Sequence, residues 1–248
     1  MLATIWLVLL VAILMIWTWH DARQFAAFRL LDDSAARRAS YLRWTWQSFA
    51  ILSGASLVTL LILGRLGDGL NLPDEFRELA RALRPDEVTK SKDGTMGFAI
   101  GVGLGLLILI AVQAFRLRKM MKPLAPEIEP MFPRNGKERL AVLPLCLNAG
   151  FSEELLFRLA LPLLIAEVTG SALVGVIGAT VLFGLAHAYQ GWKGVVLTTL
   201  VGGVFMLLFL QGTPLLRLMA LHAAIDVVAL IVRPQLAAWL AGIGRDRA

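Results

Sequence analysis

The sequence predicts an all-α, polytopic integral membrane protein with about seven transmembrane helices and room for an eighth. Three observations carry this expectation. Of 248 residues, 58% are hydrophobic and only 17% are charged, where soluble domains average about 25% charged. Mean hydropathy is +0.72. The apolar residues also fall in blocks close to the roughly 20 residues that cross a bilayer core as a helix. Such a composition excludes a disordered or fibrous chain and weighs against a soluble domain.

The blocks follow in order. Residues 2–19 lack the basic leader and small-residue cleavage site of a signal peptide, so they read as a retained first span. The second and third spans cover 44–63 and 96–115. Four more follow at 140–166, 172–189, 194–210 and 215–232. Between the second and third, Pro73 and Asp74 open a short helix with Phe76, Leu79, Ala80 and Leu83 on one face, and Pro85 closes it. It is expected to lie at the membrane interface. Prolines at 123, 126, 130 and 133 make a stiff linker. The chain thus divides into three front spans (1–122), a Pro-rich linker (123–139), a four-span core (140–232) and a cytoplasmic tail (233–248). The GVGLG run at 101–105 lies within a span and follows no strand, so its glycines serve close helix packing and not a nucleotide. Gly175, Gly178, Gly202 and Gly203 read the same way.

The net charge of +6 does not point to nucleic acid, because the basic residues sit in short loops between apolar blocks. Loop 20–43 has five Arg and three Asp, and loop 116–139 has seven basic and three acidic residues. Loop 64–95 has six basic and seven acidic residues. By the positive-inside rule the first and third loops and the tail are cytoplasmic and the N-terminus is outside. A bacterial inner (cytoplasmic) membrane is the expected location. The single cysteine, Cys146, excludes an intrachain disulfide and a cysteine-based metal cluster.

Ionisable residues inside spans are costly and mark function. Within 140–232 they are Glu153, Glu154, Arg158, His187, His222 and Asp226; Glu167, Lys193 and Arg217 can reach the interface from block ends. His20 falls in a loop and reads as a solvated residue. Glu154 and Arg158 are spaced to share a helix face and pair. Glu153 lies about 140° around the axis from Arg158, so it lacks that partner and is free to exchange a proton, as a general base must. Both Glu could instead brace Arg158. The Asn148-Ala-Gly150 stretch just before could break the helix and admit water. Phe183 lies one turn before His187, with Gly184 and Ala186 leaving room. His222 and Asp226 share a face of the last span, where Asp226 could fix the imidazole tautomer, form a polar wall, or glue helices together. Histidines and carboxylates converging on three spans suggest hydrolysis or proton transfer.

The ordered trio Glu-Glu-x-x-x-Arg (153–158), Phe-x-x-x-His (183–187) and His-x-x-x-Asp (222–226) resembles the CPBP family, the CAAX-protease and bacteriocin-processing (Abi) group of intramembrane glutamic endopeptidases. The resemblance covers about 138–232 and implies a CAAX-protease-like helical core. It implies that Glu153 activates the hydrolytic water with help from His187, while His222 and Asp226 stabilise the oxyanion. It leaves Glu154, Arg158 and Phe183 in supporting places. CAAX-processing members carry Asn where this chain has Asp226, and an ionised Asp would repel an oxyanion. Two histidines and a carboxylate could also hold zinc at His187, His222 and Glu153. The absence of a His-Glu-x-x-His helix favours a mechanism with no metal and no other cofactor.

The expected function is therefore hydrolysis of a peptide bond in a membrane-associated protein or peptide, with the lipid bilayer as the surrounding partner. Two other classes fit less of the pattern: a non-catalytic immunity or scaffold protein of the same fold, and a proton-coupled transporter. The complete trio disfavours the first, and the lack of inverted repeats disfavours the second.

Overall fold

The computed structural model describes residues 1–68, 70–82, 126–236 and 239. The expected third span at 96–115, with its GVGLG run, lies outside the described residues, as do Leu83, Pro85 and the tail from 240. The described residues contain no strand. Their helices are α1 (Leu2–Phe28), α2 (Ser34–Ile62), α3 (Arg77–Ala82), α4 (Gly136–Thr169), α5 (Ala172–Ala186), α6 (Gly191–Leu210) and α7 (Leu215–Leu236). Five stretches are long and apolar enough to cross a membrane: α1, α2, α4, α7, and α6 with the turn before it. The chain is an integral membrane protein, and its outward faces suit lipid. Leu2, Ile16, Leu140, Leu173, Ile177, Leu200 and Leu216 are all exposed.

Several boundaries differ from the sequence reading. The first loop nearly vanishes, because α1 continues to Phe28 and α2 starts at Ser34. No glycine or proline interrupts 20–33, and Phe25 and Phe28 bury themselves on Tyr41 and Trp44, with Phe28 4.9 Å from the Trp44 ring. Asp33 caps α2 by accepting from the Ala36 amide at 2.8 Å. His20 is consequently helical, although exposed as expected, and it bonds Gln24. The fifth block is also shorter than drawn. α5 has 15 residues, or about 22 Å at 1.5 Å per residue, against a core about 30 Å thick. It ends at His187, and a single 3₁₀ turn, Ala188–Gln190, leads to Gly191 at φ 75°. Finally, α7 continues past 232 to Leu236.

The proline segment is bound to the protein. Pro126–Met131 is a 3₁₀ turn with Met131 buried, and Asn135 caps α4 through the Glu138 amide at 3.0 Å. α4 therefore begins at 136, inside the stretch read as linker. The short helix α3 follows a 3₁₀ turn at Asp74–Phe76. Its apolar face meets protein and not the membrane interface, since Phe76 and Ala80 are buried in the main core.

α4 is the central element. α2, α5 and α7 all pack on it, α6 packs on α5, and α1 packs on its second half. It is not broken at Asn148–Gly150. Asn148 instead donates to Ser48 Oγ at 2.7 Å and to the Thr45 carbonyl at 3.1 Å, which ties α4 to α2. Gly150 has a different reason. A Cβ there would lie 2.5 Å from the Met219 carbonyl oxygen and 2.7 Å from the Ala223 amide nitrogen. Only glycine lets α4 and α7 cross this closely.

Candidate active site

The close crossing at Gly150 brings Glu154, one turn on, against His222 of α7. His222 Nδ1 lies 2.7 Å from Glu154 Oε1. The other Glu154 oxygen is 3.1 Å from Arg158 Nε, and both side chains are buried. The pair straddles the start of a π-turn, Leu155–Ala160, which widens α4 at Arg158. The Arg158 guanidinium stacks 4.4 Å from the Phe183 ring centroid and 5.7 Å from that of Phe205. A desolvated cation over an aromatic face is held by the ring quadrupole. Phe183 in turn packs on Phe157 at 5.3 Å and His187 at 4.8 Å. Gly202 of α6 makes room, since a Cβ there would meet Phe183 Cδ1 at 2.6 Å.

His187 ends α5. Its Nδ1 lies 2.8 Å from the Phe183 carbonyl oxygen. A carbonyl only accepts, so Nδ1 carries the proton and Nε2 of the neutral ring keeps its lone pair. The motif Phe-x-x-x-His is thus one helical turn in which the Phe backbone sets the His tautomer. His222 is oriented by Glu154 through its own Nδ1. Of the three places open to Asp226, the one of fixing this imidazole is thus filled by Glu154. Asp226 Oδ2 is 3.8 Å from His222 Nε2, beyond hydrogen-bond range. The i,i+4 spacing puts the two on one face, but α4 reaches the imidazole first.

Both Nε2 atoms face Glu153. Its Oε2 is 3.7 Å from His187 Nε2 and 3.9 Å from His222 Nε2. That oxygen is buried without a hydrogen-bond partner among the described residues. The four residues predicted as catalytic, Glu153, His187, His222 and Asp226, all line one cavity of about 170 Å³. A single water needs about 10–15 Å³, so the space holds several. Glu154, Arg158 and Phe183 stand behind this wall, Glu154 bonding His222 through its carboxylate and Phe183 bonding His187 through its backbone carbonyl. Glu154 is thus more than a brace for Arg158, because it also positions His222.

The cavity has residues that sequence reasoning missed. Asp21 and Phe25 of α1, Trp44 of α2, Cys146 of α4 and Tyr189 also line it. Asp21 had been counted with loop charge. The uninterrupted spacing of Asp21, Phe25 and Phe28 on a continuing helix was the available signal. Among the described residues no three His, Cys, Asp or Glu side chains are arranged to hold a metal ion.

Residues 135–228 match the family model of the type II CAAX prenyl endopeptidase Rce1-like proteins. No curated protein and no solved structure matches the chain significantly. The matched segment runs from the cap of α4 into α7 and contains all three motifs together with every residue of the Glu153 cluster. Over residues 135–228 the chain is therefore similar to the Rce1-like members of the CAAX-protease family.

Proposed function

We propose that the protein is an intramembrane endopeptidase in which Glu153 activates the hydrolytic water. One observation carries this reading: an unpartnered Glu153 oxygen facing two imidazole Nε2 atoms at 3.7 and 3.9 Å in a water-sized cavity. Those separations leave space for a bridging water. Such a water donates one proton to Glu153 and the other to the His187 Nε2 lone pair, which leaves an oxygen lone pair for attack. As the oxygen bonds the scissile carbonyl carbon, its proton passes to Glu153 and the carbonyl π electrons move to oxygen. When the C–N bond breaks, Glu153 returns that proton to the leaving amine. His222 serves the oxyanion as an imidazolium, with Glu154 balancing its charge.

The substrate is a membrane-associated protein or peptide, cut within the bilayer-embedded cavity. The protein sits in a bacterial inner membrane with the N-terminus outside and the C-terminus cytoplasmic. The mechanism uses no metal. Peptide termini in membranes holding wild type or Glu153→Gln test the reading without a known substrate. Termini present with wild type should disappear with the variant. On any peptide so found, kcat should fall at least about 10²-fold, the scale of a lost general base. Equal turnover would overturn the assignment.

A further inference from the structure

The mechanism above supplies the oxyanion with one donor, His222, and that donor is charged only when both ring nitrogens hold protons. Asp226 is an acceptor when ionised. His187 Nε2 carries a lone pair, because Nδ1 is committed to the Phe183 carbonyl. Trp44 Nε1 donates to Gln24 Oε1 at 2.9 Å, and Ser48 Oγ donates to the Trp44 carbonyl at 2.7 Å. Two cavity-lining polar groups are thus spent, and the site needs a neutral donor with a free proton.

Tyr189 is such a group. It lies on the 3₁₀ turn just beyond His187 and lines the same cavity as Glu153, His187 and Asp226. Its ring centroid is 6.0 Å from that of His187. Gln190 Nε2 donates to its hydroxyl oxygen at 3.0 Å. The phenol therefore already accepts, and among the described residues its own proton has no acceptor. Its ring is held from the other side by Phe25 of α1, in an edge contact at 5.3 Å. The turn at the foot of α5 also sets its place, because ending the helix at His187 swings Tyr189 back towards α1.

We infer that the Tyr189 hydroxyl is the second, neutral hydrogen-bond donor to the oxyanion of the tetrahedral intermediate, held in place by Gln190 and by Phe25 of α1. The inference rests on the proteolytic reading. It also gives α1, which lies outside the matched domain, a part in the chemistry. A preorganised donor aimed at developing charge acts on the transition state and not on the ground state.

The test compares wild type, Tyr189→Phe, Gln190→Leu and Glu153→Gln in lipid–detergent micelles. The probes are quenched peptides, including a farnesylated CAAX tail and the substrates found by terminal profiling, and a peptide phosphinate that mimics the tetrahedral oxygens. Tyr189→Phe should lower kcat by about 10²-fold, as loss of one oxyanion donor does. KM should stay within about twofold, because uniform binding is untouched. Phosphinate affinity should weaken by a similar factor to kcat. Gln190→Leu, which keeps the phenol and frees its rotation, should lower kcat about threefold to tenfold, roughly one neutral hydrogen bond, and keeps the test open if Tyr189→Phe misfolds. An unchanged kcat in both variants, or a loss confined to KM, overturns the inference. No cleavage of any probe by wild type would instead overturn the proteolytic reading, and full activity of Glu153→Gln the role of Glu153, so the failures are told apart.

Discussion

Two buried arginine–glutamate pairs sit on α4, and they are built to opposite ends. At its start Arg37 of α2 meets Glu138 at 3.2 Å, with both side chains fully buried. Most polar groups around that pair are spent, Arg37 Nη1 alone of the pair's atoms having no hydrogen-bond partner among the described residues. Arg37 Nη2 donates to Tyr41, to the Pro130 carbonyl and to the Phe132 carbonyl, and Glu138 accepts from the Arg134 amide and Asn135. Some 20 residues on, Arg158 meets Glu154 at 3.1 Å. Here both Arg158 Nε and Nη1 lack a hydrogen bond among the described residues, and the guanidinium, like that of Arg37 on Phe28, leans on an aromatic face. The spare oxygen of Glu154 goes to His222. The first pair fastens α2, the proline segment and α4 together. The second ties α4 to His222, a cavity residue of α7.

The contrast can be broken at either end. The largest effect is expected at the first pair. Arg37→Ala should cost about 3–5 kcal/mol of stability, because it strands a buried Glu138. Thermal unfolding of the solubilised protein would show this, and a loss below about 1 kcal/mol would mean that the pair is not a fastening. The double replacement Arg37→Met with Glu138→Leu should recover part of the loss, since no charge is stranded, though two carbonyls lose a donor.

At the second pair the effect should move from stability to rate. Glu154→Gln keeps the shape of the side chain but weakens its hold on His222. It should lower kcat about tenfold to a hundredfold, the usual range for a residue orienting a reactive histidine. The melting temperature should drop less than for Arg37→Ala. A large stability loss with intact turnover would erase the distinction between the two pairs. Smallest of all should be Asp226→Asn. No hydrogen bond joins Asp226 to His222, so kcat should change by no more than about threefold, under 1 kcal/mol. The amide can donate where the carboxylate cannot, so any change should be upward. A tenfold fall would show that the carboxylate charge itself serves His222.

These pairs also show what was legible in the chain. Arg158 and Glu154 announce themselves by an i,i+4 interval within one apolar block, and helix geometry alone predicts their contact. Arg37 and Glu138 are 101 residues apart and read as loop charges, because nothing in either neighbourhood shows that α2 begins nearly three turns earlier or that α4 begins inside the proline segment. The same division holds around the cavity. Glu153, His187 and His222 stand out as ionisable residues in apolar spans, whereas Asp21 and Tyr189 lie at expected span ends where polar residues are ordinary.

The sequence alone determined the membrane character, most of the described spans, and which ionisable side chains fall inside them, because hydropathy and the 3.6-residue period are local properties. Only the tertiary structure decided which partner each side chain keeps. Glu154 and not Asp226 holds His222, and α1 contributes to a cavity otherwise built by the matched domain. The reason is that cross-helix contacts depend on how closely two helices can cross. At α4 and α7 that distance is set by the missing side chain of Gly150.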